Sequence, residues 1–176
     1  MERSGMSLGE IKRERMEAFT SIMLAIEANS MTLPSTMSEG FGKLREIAAS
    51  NSLETSGTPF CRYESLNWDE LTDKGMAASM LDLFSHNWKF ELGLPAGCSG
   101  DAMGEVYCRA FDEQDVVSAV FTGAHVHIEQ GFKDLYAWLH RQGLKGSDES
   151  FEFYLNDPSQ VPPEEVQTKL VIPILR

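Results

Sequence analysis

The chain has 176 residues, 42% of them apolar and 10% aromatic, enough for one well-formed core and too few for two independent domains. Its net charge of −12 and pI near 4.7 disfavour direct nucleic-acid binding, which needs a basic face. No run nears the roughly 18 apolar residues of a membrane span. The N-terminal MERSGMSLGEIKRER carries no secretory pattern. Three cysteines, Cys61, Cys98 and Cys108, make neither an even set nor a CxxC pair, which points to a reducing, cytoplasmic setting without a zinc site.

In chain order, IKRER and then EAFTSIMLAIEA (17–28) have strand character. Thr36, Met37, Ser38 and Glu39 form a capping-box pattern. Phe41, Leu44, Ile47 and Ala48 follow at helical spacing, so the first helix is expected over about 36–50, with Asn51 as a left-handed cap. After the turn SLETSGTP comes a short strand carrying Phe60 and Tyr63. The stretch 65–87 reads as an insertion, with Met76, Met80, Leu81 and Phe84 suggesting a short helix and Trp68 and Trp88 at its flanks. WKFELGLP (88–95) is the next strand.

GEVYCRAF and DVVSAVFTGAHV (115–126) then read as strands. Ile128, Phe132, Leu135, Trp138 and Leu139 line one face of a second helix, which Gly143 ends. LKGSDES is a turn, and FEFYLNDPSQVPPEEVQTKLVIPI (151–174) is two strands joined by a proline-rich loop, with Glu164 and Glu165 at a solvated helix start. Residues 40–64 align without a gap on 131–155, and seven of the 25 positions are identical, among them Gly40 with Gly131, Phe60 with Phe151 and Tyr63 with Tyr154. A duplicated strand-strand-helix-strand-strand unit follows, the first copy spanning about 8–95 and the second about 104–176. Two copies make an α+β domain of about eight antiparallel strands and two long helices with pseudo-twofold symmetry.

Alternation along the last pair of strands places Phe151, Phe153 and Leu155 on one side and Glu152 and Tyr154 on the other. The Phe side is expected to cover the helices. The same parity groups Cys61 with Tyr63, so approximate symmetry would let Cys61, Tyr63, Glu152 and Tyr154 line a groove between the halves. Trp88, Tyr107 and His125 are further candidates for its wall. His125 and His127 share a strand face in this reading, but their neighbours add no third ligand, so no metal or other cofactor is expected.

The pattern of an aromatic-Glu-x-Tyr-Leu strand, Asp-Pro, a proline-rich acidic loop and a Thr-x-apolar-x-Ile-Pro strand resembles the C-terminal signature of the GyrI-like small-molecule-binding superfamily. That superfamily supplies effector-binding domains to AraC-type and MerR-type regulators. IKRERMEAF, GTPFCRYES and FELGLPA are compatible with other parts of the domain, whereas GAHVHIEQ stands where a Gly-Pro-aromatic turn is common. The resemblance implies a cleft for lipophilic, often cationic or planar compounds, with Glu152 as the pocket acid and Tyr154 as its aromatic neighbour. With no DNA-reading helix pair before the first strand, the expectation is a stand-alone binder. The alternatives that the resemblance opens are a hydrolase of cyclopropane-bearing genotoxins, with Glu152 and Tyr154 catalytic, and a protein that engages DNA gyrase.

Overall fold

The computed structural model describes residues 5–29, 31–65, 87–100 and 102–176. Ten strands and two long helices lie among them: β1 (Ser7–Leu8), β2 (Lys12–Met16), β3 (Phe19–Ala28), α1 (Leu33–Ser50), β4 (Phe60–Tyr63), β5 (Trp88–Pro95), β6 (Val106–Phe111), β7 (Gln114–Thr122), α2 (Ile128–Arg141), β8 (Lys145–Gly146), β9 (Ser150–Tyr154) and β10 (Gln167–Leu175). Every strand pairing is antiparallel, and the architecture is α+β. The expected insertion helix and Trp68 lie outside the described residues. No described helix is long and apolar enough to cross a membrane.

The described chain divides into two compact units. In one, built around α1 from residues 17–63 and 87–113, the strand order is β6-β3-β5-β4. In the other, built around α2 from 5–16, 64–65 and 114–176, β2 flanks β7, which is followed by β10 and β9. The leading strands are exchanged relative to chain order. β2 directly precedes β3 yet pairs with β7, and β6 directly precedes β7 yet pairs with β3.

Each helix packs against its sheet through a glycine. A Cβ on Gly40 would come within 2.5 Å of Leu92 Cδ1, and one on Gly131 within 2.5 Å of Leu170 Cδ1. Both helices thus approach to where only a hydrogen fits, which seats Leu44, Leu135 and Leu139 fully in the core. α1 begins three residues before its expected start. Pro34 occupies its first turn, where a missing N–H costs nothing, and the side-chain oxygen of Asn29 accepts from the backbone N–H groups of Met31 and Thr32. The capping box at Thr36 is therefore ordinary helix, and the left-handed residue after it is Ser52 (φ 52°), not Asn51. α2 ends as expected, with Gly143 at φ 66°.

The cysteine expectation is overturned. Cys98 and Cys108 are joined in a disulfide with their Cα atoms 5.9 Å apart, and Cys61 is a buried thiol outside it. An odd total hid the pair, because the count says nothing about which two thiols a loop and a strand bring together. The argument for a reducing setting that rested on unpaired thiols therefore falls.

Candidate functional site

β9 is buried on both sides: Phe151 is fully buried and Glu152 is 6% exposed. Register decides which side the acid takes. Glu152 stands directly opposite Leu170, and Tyr154 opposite Thr168. Directly opposed residues in an antiparallel pair share a face. Leu170 is the residue against which Gly131 of α2 packs, so Glu152, Tyr154 and Thr168 all lie on the helix-bearing face. This reverses the sequence-based expectation. It is Phe151 and Phe153, stacked at 6.0 Å, that occupy the opposite face, together with Lys169 and the Glu14 carboxylate that it meets.

α2 rests chiefly on β7, β8 and β10, which leaves β9 beside the helix. On that margin the Tyr154 hydroxyl donates to Glu152 Oε2 at 2.8 Å. The His125 ring lies 5.5 Å from the Tyr154 ring, and its Nε2 is 3.3 Å from the hydroxyl of the fully buried Thr168. The expected strand through 126 stops at Thr122, and His125 and His127 instead form a short 3-10 turn that leads into α2. The turn brings His125 over the end of β10. Burial holds the His125 pKa below its ordinary value, so the neutral imidazole is favoured. A carboxyl, a phenol and a neutral imidazole are thus grouped on one face. Among the described residues no cluster of three or more metal-binding side chains occurs.

The other unit places different side chains on its own helix-bearing face. Cys61 pairs with Leu92, the residue under Gly40, so Cys61 and Tyr63 also lie on the helix-bearing face of their sheet. Both are buried, and the Tyr63 ring sits 5.7 Å from that of Phe90. Trp88 shares this face, two residues from Phe90 along β5. Tyr107 does not. It stands opposite Met23, on the face that carries Phe60, Arg62, Glu91 and Arg109.

Thr168 was missed as a site residue, although the sequence carried a signal: a threonine opening an apolar strand, directly after a polar loop. The disulfide was missed as well, and no spacing rule would have supplied it.

Residues 28–175 match the model of the GyrI-like small molecule binding domain. The C-terminal domain of EcmrR superposes with a TM-score of 0.75 at 11% identity, covering 95% of this chain and 98% of that one. Against EcmrR in its complex with DNA, this chain spans 57% of the length. A hydrolase encoded by lin2189 from Listeria innocua superposes with a TM-score of 0.66 at 14% identity, covering 94% and 92%. SAV2435 bound to tetraphenylphosphonium gives 0.53 at 11%, covering 94% of each chain. Identities this low speak for the fold alone. No curated protein sequence matches the chain. By the match over 28–175, the chain belongs to the GyrI-like small-molecule-binding family.

Proposed function

We propose that the Glu152 cluster binds a lipophilic organic cation. The observation that carries this reading is a carboxyl only 6% exposed whose Oε2 accepts from Tyr154, on a face lined by aromatic rings. Withdrawing a carboxylate from water is costly, and a cation seated beside it offsets that cost. Phenol and imidazole faces add cation–π attraction of about 2 kcal/mol when desolvated. The tetraphenylphosphonium held by SAV2435, a protein of the same fold, is a cation of this class and serves as the probe. The sequence-derived assignment of Cys61, Tyr63 and Trp88 to ligand binding is part of the same proposal, tested by substitution of each.

At an effective dielectric of about 20 and a charge separation of about 5 Å, the Glu152 carboxylate contributes about 3 kcal/mol to holding a monovalent cation. Glu152→Gln keeps an acceptor for Tyr154 and removes the charge. It is expected to weaken tetraphenylphosphonium binding by more than about tenfold in a calorimetric titration. Unchanged affinity in that variant would sink the assignment.

A second reading, hydrolysis of a strained electrophile such as a cyclopropane, draws on the same hydrogen bond. Tyr154 and Glu152 form a donor–acceptor pair with His125 beside them, which is the equipment of general acid–base chemistry. In that case Glu152→Gln abolishes turnover while a neutral substrate still binds.

A further inference from the structure

A cavity of about 550 Å³ lies in the α1 unit, lined by Thr20, Asn51, Leu53, Gly97, Cys98, Ser99 and Met103. Both walls are held by hydrogen bonds, and one also carries a disulfide. Thr20 donates to the Ala96 carbonyl at 2.6 Å, the Asn51 amide donates to the Ile47 carbonyl at 2.9 Å, and Leu53 N–H donates to the Ala48 carbonyl at 2.9 Å, so this wall is fixed to β3 and to the end of α1. The other wall, Gly97, Cys98, Ser99 and Met103, belongs to the connection between β5 and β6. That connection is held by backbone hydrogen bonds from Gly97 to Glu54 and between Met103 and Val106, and covalently by the Cys98–Cys108 disulfide. Cys108 sits within β6, held opposite Ile22. Cys98 lines the cavity, and Cys108 is not among its lining residues.

We propose that this cavity admits a low-molecular-weight thiol that exchanges with the disulfide at Cys98. The incoming thiolate attacks Cys98 Sγ. The sulfur–sulfur bond breaks, its electron pair leaves with Cys108 Sγ, which takes a proton from water, and a mixed disulfide remains on Cys98. The step is a balanced exchange that needs no external oxidant. Attack at Cys98 is favoured because a thiol seated in the cavity meets Cys98 in its lining, while Cys108 is anchored in the strand. Both cysteines are half-buried, so neither is sealed from solvent reagents. The consequence is local: the connection loses its covalent tie to β6 and keeps only the backbone hydrogen bonds of Gly97 to Glu54 and of Met103 to Val106.

The test uses the full-length, oxidised chain and glutathione as the probe. After brief exposure at mildly alkaline pH the reaction is quenched with iodoacetamide and mapped by mass spectrometry. The expected early product carries glutathione on Cys98 and the alkyl group on Cys108, in at least about fivefold excess over the reverse isomer, and the preference disappears in urea. Ser99→Phe, an exposed lining position, fills the cavity mouth and slows native-state exchange by at least about fivefold without altering the rate in urea. Equal labelling of the two cysteines, a preference for Cys108, no exchange, or a Ser99→Phe rate equal to that of the parent would each overturn the proposal. So would alkylation of both thiols in the native protein before any glutathione is added.

Discussion

Gly93, in the middle of β5, offers the sharpest test of the packing. A Cβ built there would lie 2.2, 2.4 and 2.7 Å from three atoms at the outer end of the Phe60 ring. Ordinary contact begins at 3.4 Å, so the shortest of these falls 1.2 Å short (3.4 − 2.2). The ring cannot swing away freely. Phe60 is fully buried and is held edge-on by Phe19 at 5.6 Å and by Phe111 at 5.8 Å, which are themselves stacked at 4.8 Å. Overpacking of this kind costs about 1–3 kcal/mol, and a rigid aromatic neighbour places it near 3. Alanine recovers roughly 0.5–1 kcal/mol of backbone entropy relative to glycine in a strand. Gly93→Ala should therefore lose about 2 kcal/mol net, a fall in Tm of roughly 4–8 °C for a chain of this size. Phe60→Leu removes the three clashing ring atoms, so the double variant should be less destabilised than the sum of the singles by at least about 1 kcal/mol. Thermal and urea unfolding of the four proteins measure the cycle. A Gly93→Ala protein that melts with the parent, or strictly additive effects, would refute the reasoning.

Other expectations follow from charged groups. Arg62 and Glu91, with side chains 5% and 14% exposed, meet at 2.5 Å, and Arg109 approaches the same carboxylate at 3.5 Å. Glu91→Ala removes the carboxylate of this buried pair and should cost about 3–5 kcal/mol in urea unfolding, whereas Arg62→Met combined with Glu91→Leu should cost less than Glu91→Ala alone. A Glu91→Ala protein as stable as the parent would show that the pair is not desolvated. His125 has a folded pKa lowered by burial below the ordinary imidazole value of about 6.5, so the unfolded chain binds the proton more readily. Stability should then decline as pH falls from about 6.5 toward the folded pKa, and level off below it. His125→Gln should remove that component of the pH profile, while an unchanged profile would place the ring in water.

Much of the fold was legible because strands and helices impose periods that the sequence displays. WKFELGLP became β5 from Trp88 to Pro95, residue for residue, and the spacing of Ile128, Phe132, Leu135 and Leu139 marked the buried stripe of α2. The start of α1 was missed because its cap is built by Asn29 and Thr32 ahead of Pro34, and the pattern at Thr36 and Glu39 imitates a start within the helix. The strand exchange was not legible at all. Nothing in IKRER says that it will pair with β7, not with the strand that follows it, since hydrogen-bonding partners far apart in sequence leave no local mark.

The candidate site divides in the same way. Alternation alone determined that Glu152 travels with Tyr154, and Cys61 with Tyr63, because the side-chain period of a strand is two whatever lies above it. Tertiary structure decided which of the two faces bears the helix, and it placed Glu152 on that face and Phe151 on the other. In a strand buried on both sides, polarity no longer separates inside from outside, and only the register with Leu170, and through Leu170 with Gly131, fixes the direction. The disulfide is of the same kind: the sequence supplied two thiols, and the distance between them was set by how the β5–β6 connection folds back on its strand.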